Sequence, residues 1–173
     1  MRTSTLAFAV AATLVPAGAM SLSSGDFQNG AALPQAHVYP RCGGQNVSPG
    51  FTWSGAPERT RSFVFTMIDH SVTPNYWSHW IVADLAPDTM ALAHGLTALP
   101  ARAMGVKSNF GEAKYDGPCP PHGTGVHRYI FTIWAMPAGT TTIPPDAKGK
   151  DVEGLLSKTA LAHASIEGTV AAK

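Results

Sequence analysis

Residues Arg128–Met136 read RYIFTIWAM, and this run decides the class of fold. Most of its residues are β-branched or aromatic, and Pro137 and Gly139 follow it, which is typical of a strand that ends at a turn. Apolar side chains stand at nearly every position, whereas a strand with one face in solvent alternates polar and apolar residues. We therefore predict a central strand that is covered on both faces.

Two further runs have the same character, Ser62–Ile68 (SFVFTMI) and His79–Leu85 (HWIVADL). Weaker strand candidates are Phe51–Trp53, Arg102–Val106 and Ser165–Val170. Only Asp151–His163 has apolar residues at helical spacing, behind Asp151 as an N-cap candidate, which predicts one helix. The pattern as a whole predicts an all-β sandwich with a short C-terminal helix.

The composition agrees with one turn-rich domain. The chain has 173 residues, of which 17 are Gly and 14 are Pro, so a bundle of long helices is excluded. Charged residues make up 13% of the chain, which is about half of the share usual in soluble domains. There are 12 Lys and Arg against 11 Asp and Glu, without a basic run, so we expect no nucleic-acid partner.

The N-terminal segment, residues 1–19, has the pattern of a secretory signal peptide. Arg2 precedes an apolar run, Leu6–Val15, and the small residues Ala17-Gly18-Ala19 follow it. We predict cleavage after Ala19, which leaves a single domain over 20–173 that is periplasmic or secreted. No second long apolar run follows, so we expect no transmembrane segment.

Export would place Cys42 and Cys119 in an oxidising compartment, which favours one disulfide between them. Two separate buried thiols are the alternative, because sequence alone does not bring residues 77 positions apart into bonding distance. Two cysteines without CxxC spacing do not form a cysteine-based zinc site by themselves.

Polar residues cluster in two places. Asp69 ends one predicted strand and His79 begins the next, so the two side chains can face each other and bind a small anion, or simply form a buried hydrogen bond. The loop 116–125 is rich in Pro and Gly and can direct backbone N–H groups toward an anion, or serve only as a rigid turn. His127 and Tyr129 follow it on one face of a strand.

The motifs of the chain occur in a specific order. They are Asn46-Val47-Ser48-Pro49 with Trp53, then Ser62-Phe63, Asp69, His79-Trp80, and Gly117-Pro118-Cys119-Pro120-Pro121 through His127-Arg128-Tyr129. In order and spacing they resemble the phosphatidylethanolamine-binding protein family, in its bacterial Raf-kinase-inhibitor-like branch, from about Cys42 to the C-terminus. The resemblance implies a sandwich of two antiparallel sheets and a non-enzymatic protein with a pocket for a small anion or a phospholipid head group.

The resemblance also implies which residues form the pocket. Its side chains would be Asp69, His79, His127 and Tyr129, with loop contacts from Gly117, Cys119, Pro120 and Pro121. Accessory candidates are His70, Ser71, Trp77 and His122. A disulfide at Cys119 would brace this loop.

The chain departs from the family pattern at Ser71. The family usually reads Asp-Pro-Asp-Ala-Pro where this chain has Asp69-His70-Ser71-Val72-Thr73, so the second acid is missing. Without it, support for a cationic amine is reduced, and we hypothesise that Ser71 and His70 favour a more anionic ligand.

Three other functions have weaker signals in the sequence. His70, His79, His122 and His127 lack HxH or HxxxH spacing, so we expect neither a metal nor another cofactor. A hydrolase using Ser71 or Ser78 beside His79 and Asp69 lacks a Gly-x-Ser-x-Gly elbow. The family name also implies an inhibitor of a protein partner, which after export would be an extracytoplasmic protease, bound through a separate surface.

Overall fold

The computed structural model describes residues 19–145 and 147–172. The predicted signal peptide lies outside the described residues, apart from Ala19. The described chain contains eight strands, one α-helix and two short 3-10 helices, at Gln35–His37 and Pro40–Cys42. The elements are β1 (Ser21–Ser24), β2 (Phe51–Ser54), β3 (Ser62–Asp69), β4 (Trp77–Leu85), β5 (Ala91–Leu92), β6 (Met104–Val106), β7 (Val126–Met136), α1 (Gly149–Thr159) and β8 (Ala162–Ala171).

The strands form two antiparallel sheets, as expected. The larger has the order β6-β4-β3-β7-β8 and the smaller the order β1-β2-β5. All eight residues of β3, at the centre of the larger sheet, are buried. Because successive side chains point to opposite faces of a strand, β3 must be covered on both sides.

A different layer covers each face of β3. Phe63, Phe65 and Met67 pack in one apolar cluster with Phe51 and Trp53 of β2. Val64 and Ile68, on the other face, pack with Val152 and Leu156 of α1. The near-continuous apolar runs are thus explained by a sheet on one side and a helix on the other.

The predicted helix was wrong at both ends. α1 ends at Thr159, because Ala160 is extended and β8 begins at Ala162. His163, which was assigned to the helix, instead pairs with Trp134 of β7. Asp151 lies in the first turn, whereas the N-cap is Lys148 and has no side-chain capping bond. Ladder hydrogen bonds along the whole of β8 outweigh the helical spacing of a few apolar residues.

Cys42 and Cys119 form the predicted disulfide, with their Cα atoms 5.5 Å apart. It joins the second 3-10 helix to the Pro- and Gly-rich loop and closes a loop with a sequence separation of 77. On a chain-entropy model, closure of a loop of that length stabilises the folded state by about 4.5 kcal/mol. Separately, none of the helices in the described ranges is long and apolar enough to cross a membrane.

Candidate ligand-binding site

The larger sheet brings the ends of three strands together. Asp69, the last residue of β3, pairs in register with Tyr129 of β7 on one side and with Trp77 of β4 on the other. His127 and His79 lie two residues from these partners and therefore on the same face of each strand. The strand order alone thus places the four polar side chains that the resemblance indicated around one point.

A cavity of about 300 Å³ lies at this point. It is lined by Asp69, Val72, Trp77, His79, Phe110, Cys119, Pro120, Pro121, His127 and Tyr129. The four polar side chains among these residues are buried, whereas Trp77 and Phe110 are 37% and 43% exposed. The cavity therefore has a polar, buried floor and an apolar, partly exposed rim.

Asp69 accepts hydrogen bonds from a side chain and from the backbone. His127 Nδ1 lies 2.6 Å from Oδ2 of Asp69, and the backbone N–H of Ser71 donates to Oδ1 over 2.8 Å. A buried carboxylate needs such donors, because burial of an unpaired charge is strongly unfavourable. Asp69 therefore pairs with His127, and of the two alternatives that the sequence left open for Asp69 and His79, a direct hydrogen bond between them is not formed.

His127 also ties the loop to the floor. Its Nε2 lies 2.8 Å from Oγ1 of Thr124, and the Thr124 hydroxyl donates to the carbonyl of Pro121 over 2.7 Å. Thr124 was not identified from the sequence, where a threonine between glycines carries no distinctive signal. One chain of contacts thus runs from Asp69 through His127 to the proline wall of the cavity.

His79 is oriented by the backbone of the same loop. Its Nδ1 lies 2.8 Å from the carbonyl oxygen of Asp116, which only accepts, so Nδ1 carries the hydrogen. Burial lowers the pKa of His79 to about 4, so the ring is neutral at pH 7. Nε2 is then a lone-pair acceptor without a hydrogen-bond partner in the described part of the chain.

Tyr129 stays protonated across the ordinary pH range. Burial raises the pKa of its hydroxyl first, and the charge of Asp69 and a hydrogen bond from the Tyr129 hydroxyl to that carboxylate raise it further. The ring lies edge-on to His79, with centroids 5.1 Å apart. The floor therefore offers a phenol hydroxyl beside an imidazole acceptor.

The loop supplies fewer backbone donors than the sequence suggested. Gly117 N–H already donates to Oδ1 of Asn46 over 2.7 Å, and Pro118, Pro120 and Pro121 have no N–H. Cys119 N–H remains, since it has no acceptor within the described ranges. At Gly117 a Cβ would overlap the carbonyl of His37, so glycine permits the close approach of two segments. A direct ligand contact at Gly117 stays a prediction.

Of the accessory candidates, only Trp77 lines the cavity. His70 Nε2 contacts Oε1 of Glu153 over 2.7 Å, and its ring stacks on Tyr76, away from the pocket. Ser71 Oγ accepts a hydrogen bond from the backbone N–H of Arg128 over 3.0 Å. His122 is exposed on the loop. None of these three side chains is among the residues that line the cavity, and a role for them in ligand binding stays a prediction.

Phe110 and Val72 were missed by sequence reasoning. Phe110 lies in an irregular loop and packs against the rings of His79 and Trp77, with centroids 5.0 and 5.6 Å away. Only the tertiary fold brings this loop to the cavity. Val72 lies within the stretch Asp69–Thr73 that was compared with the family motif, but nothing in that comparison pointed to its side chain.

The geometry gives no support to a serine hydrolase. Ser78 is buried and hydrogen-bonded to Asn109, and Ser71 is occupied by Arg128 N–H. Neither hydroxyl is hydrogen-bonded to a histidine in the part of the chain that the structure describes. The four histidines considered as metal ligands are likewise not grouped there.

Comparison with known proteins identifies the family. The family model described as "Phosphatidylethanolamine-binding protein" matches residues 23–171. The protein YbhB of Escherichia coli, called a UPF0098 protein, is 38% identical over 154 residues, which is 85% of this chain and 97% of YbhB. The crystal structure of E. coli YbcL, described as a member of the mammalian PEBP family, superimposes with a TM-score of 0.80 at 31% identity, over 89% of this chain and 99% of YbcL. The chain belongs to the phosphatidylethanolamine-binding protein family.

Two further proteins are similar to this chain. A Mycobacterium tuberculosis protein, provisionally named as the lipoprotein LppC, is 34% identical over 150 residues, covering 87% of this chain and 71% of LppC. A carboxypeptidase Y inhibitor, solved with its cognate proteinase, superimposes with a TM-score of 0.58 at 20% identity, over 91% of this chain and 85% of the inhibitor. This second likeness shows the fold alone.

Acidification is expected to destabilise the protein through His79. Because the folded pKa is about 4 and the ordinary value is 6.5, the unfolded chain binds more protons between these pH values. The free energy of unfolding therefore falls as pH is lowered through this window, by about 3 kcal/mol between pH 7 and pH 4 for this one group. Urea unfolding over that pH range measures the loss.

The variant His79→Asn keeps an N–H for the Asp116 carbonyl but does not titrate, so it should lose this part of the acid sensitivity. His122→Asn, a change at an exposed histidine, is the matched control and should behave as the wild type. Equal acid sensitivity of His79→Asn and wild type would contradict the assignment.

Proposed function

We propose that the cavity binds a phosphate-bearing small molecule, either a free anion or the head group of a phospholipid, and that the protein acts as a binding protein. One observation carries the proposal: four buried polar side chains, Asp69, His79, His127 and Tyr129, converge on the floor of an otherwise apolar cavity of about 300 Å³. Apolar pockets with a few convergent polar groups are typical ligand sites.

The size of the cavity favours a head group over a whole lipid. Its volume lies at the lower end of the usual range for small-molecule sites, which is roughly 300–1,000 Å³. Acyl chains would remain outside, next to the partly exposed rings of Trp77 and Phe110. An apolar rim above a polar floor matches the polarity of a phospholipid at the junction of its head and tails.

Local donors rather than net charge would hold the anion. Cys119 N–H is available at the wall. Tyr129 O–H lies at the floor, where it would turn from the Asp69 carboxylate to a bound anion. Nε2 of neutral His79 can accept a hydrogen bond from a phosphate that carries a hydrogen. When a phosphate dianion binds, Nε2 can instead take up a proton and become a donor. Binding should therefore be accompanied by uptake of a proton, and affinity should rise as pH falls.

The floor offers little to a cationic amine. Asp69 is the only acid among the residues that line the cavity, and both of its oxygens already accept hydrogen bonds. Ser71 replaces the second acid of the family pattern and points elsewhere. We therefore keep the hypothesis that an ethanolamine group adds little affinity, now on the ground of the missing acid rather than of contacts from Ser71 or His70.

We further propose that the protein acts outside the cytoplasm. The signal-like segment 1–19, the disulfide between Cys42 and Cys119, and the lipoprotein name of a relative support this location. The intact mass of protein recovered from the periplasm or medium tests it. A mass corresponding to residues 20–173 is expected, and a chain that retains 1–19 would contradict cleavage after Ala19.

Calorimetric titration with inorganic phosphate and with O-phosphoethanolamine tests the pocket. We expect saturable one-site binding of both, tighter at pH 5.5 than at pH 7.5, with similar affinities for the two ligands. Loss of one hydrogen bond to a charged group in Tyr129→Phe should weaken binding about tenfold. Tyr76→Phe, in a separate groove, is the matched control and should bind as the wild type.

Absence of binding to either phosphate ligand, or equal binding by Tyr129→Phe and wild type, would contradict the proposal. A preference for O-phosphoethanolamine over phosphate would contradict only the statement about the amine. Vesicles with and without phosphatidylethanolamine distinguish a membrane source of the head group from a soluble one.

Inhibition of an extracytoplasmic protease stays a separate proposal, since it rests on the resemblance and on likeness of fold. The variant Tyr129→Phe separates phosphate binding from protease inhibition. Protease inhibition that survives Tyr129→Phe would assign it to another surface, whereas loss of inhibition together with phosphate binding would assign both to the cavity.

A further inference from the structure

We infer that Asp26, His37 and His94 form a binding site for a divalent metal ion of the zinc class. The three residues come from separate segments: Asp26 follows β1, His37 ends the first 3-10 helix, and His94 follows β5. One ligand atom of each lies within 4.8 Å of the ligand atoms of the other two. Two imidazoles and one carboxylate are a donor set that Zn²⁺ binds in proteins.

The orientation of His37 is the strongest observation. Its Nδ1 lies 2.7 Å from the carbonyl oxygen of Val47, which only accepts, so Nδ1 carries the hydrogen and Nε2 carries the lone pair. The residue is 1% exposed, and Nε2 has no hydrogen-bond partner in the described chain. A backbone carbonyl on the far nitrogen is the usual outer partner of a metal-binding histidine.

Asp26 is held in a similar way. The backbone N–H of Gly50 donates to Oδ2 over 2.7 Å, which orients the carboxylate and leaves lone pairs on Oδ1. Its side chain is 23% exposed, so the site opens to solvent on one side. A ligand carboxylate that is itself hydrogen-bonded is again the arrangement seen around protein-bound metals.

His94 completes the set from the solvent side. Its Nδ1 lies 3.0 and 3.1 Å from the two oxygens of Asp26, and its side chain is 57% exposed. In the metal-free protein Nδ1–H donates to Asp26. When a metal binds at Nδ1, that hydrogen moves to Nε2, so the imidazole remains neutral.

The rearrangement that a metal requires is small. Bonds from zinc to nitrogen or oxygen ligands are about 2 Å long. In a tetrahedral site, two ligand atoms of the same ion are therefore roughly 3.3 Å apart. The three ligand atoms already lie within 4.8 Å of one another, and they therefore need to close only modestly around an ion. His94 is exposed, and its Nδ1 already lies 3.0 Å from Oδ1 of Asp26, so the closure concerns mainly the approach to His37. Water would occupy the fourth position, since three protein ligands leave it open.

A simple hydrogen bond between Asp26 and His94 explains less of the arrangement. It accounts for those two side chains, but it gives no role to His37, which contributes the third ligand atom of the cluster. A bound cation would satisfy all three groups at once. The site shares no residue with the cavity, so its test is independent of the proposed function.

Zinc titration of untagged, chelator-treated and dialysed protein tests the inference. We expect one equivalent of Zn²⁺ to bind, and Co²⁺ in its place to give the visible absorption of a four-coordinate site. His94→Ala should weaken binding by about 100-fold, because even outer-shell changes weaken metal sites by roughly 10–100-fold. Asp26→Asn, which preserves size, should also weaken it strongly.

His122→Ala removes an exposed histidine outside the cluster and should bind zinc as the wild type does. Failure of the wild type to bind one equivalent would overturn the inference. Binding that is unchanged in His94→Ala and Asp26→Asn would also overturn it, because the metal would then lie elsewhere. Since His94 is exposed, its loss should leave folding intact, which circular dichroism verifies.

Discussion

The burial of β3 on both faces is the constraint on which the rest of the structure depends. A strand paired on both edges and covered by a sheet and a helix cannot change register without exposing apolar side chains. Its last residue, Asp69, is therefore carried into a buried position. A carboxylate there requires donors, and the neighbouring strand β7 supplies one through His127. The polar floor of the cavity follows from where this buried strand ends.

The wall of the cavity depends on a second set of contacts. The segment 37–46 is joined to the Pro- and Gly-rich loop by the disulfide, by the bond from Gly117 N–H to Asn46, and by the bond from Tyr115 O–H to the carbonyl of His37. His37 belongs to this segment and also to the inferred metal site, so the segment connects that site to the loop. The rigidity of that wall is thus shared between covalent and non-covalent links.

The features that depend on local sequence pattern could be predicted from the sequence. Three apolar runs predicted β3, β4 and β7, and the ordered motifs identified the family and the side chains now found on the cavity floor. Prediction from the sequence failed where contacts between distant segments determine the structure. Helical spacing at 151–163 gave no sign that β8 would pair with β7, and the partner of Asp69 could not be read from spacing, because His79 and His127 were equally well placed. Phe110, Thr124 and the cluster of Asp26, His37 and His94 come together only when distant loops meet.

The central claim is that the cavity holds a phosphate group by local donors. The most direct measurement is a ¹⁵N–¹H NMR titration of the labelled protein with O-phosphoethanolamine, observing backbone amides and histidine ring nitrogens together. We predict saturable shifts at Cys119 N–H and at His79 Nε2, with little change at Gly117, whose N–H is already bound to Asn46. Saturable shifts confined to residues outside the cavity, or no shifts at Cys119 and His79, would contradict the claim.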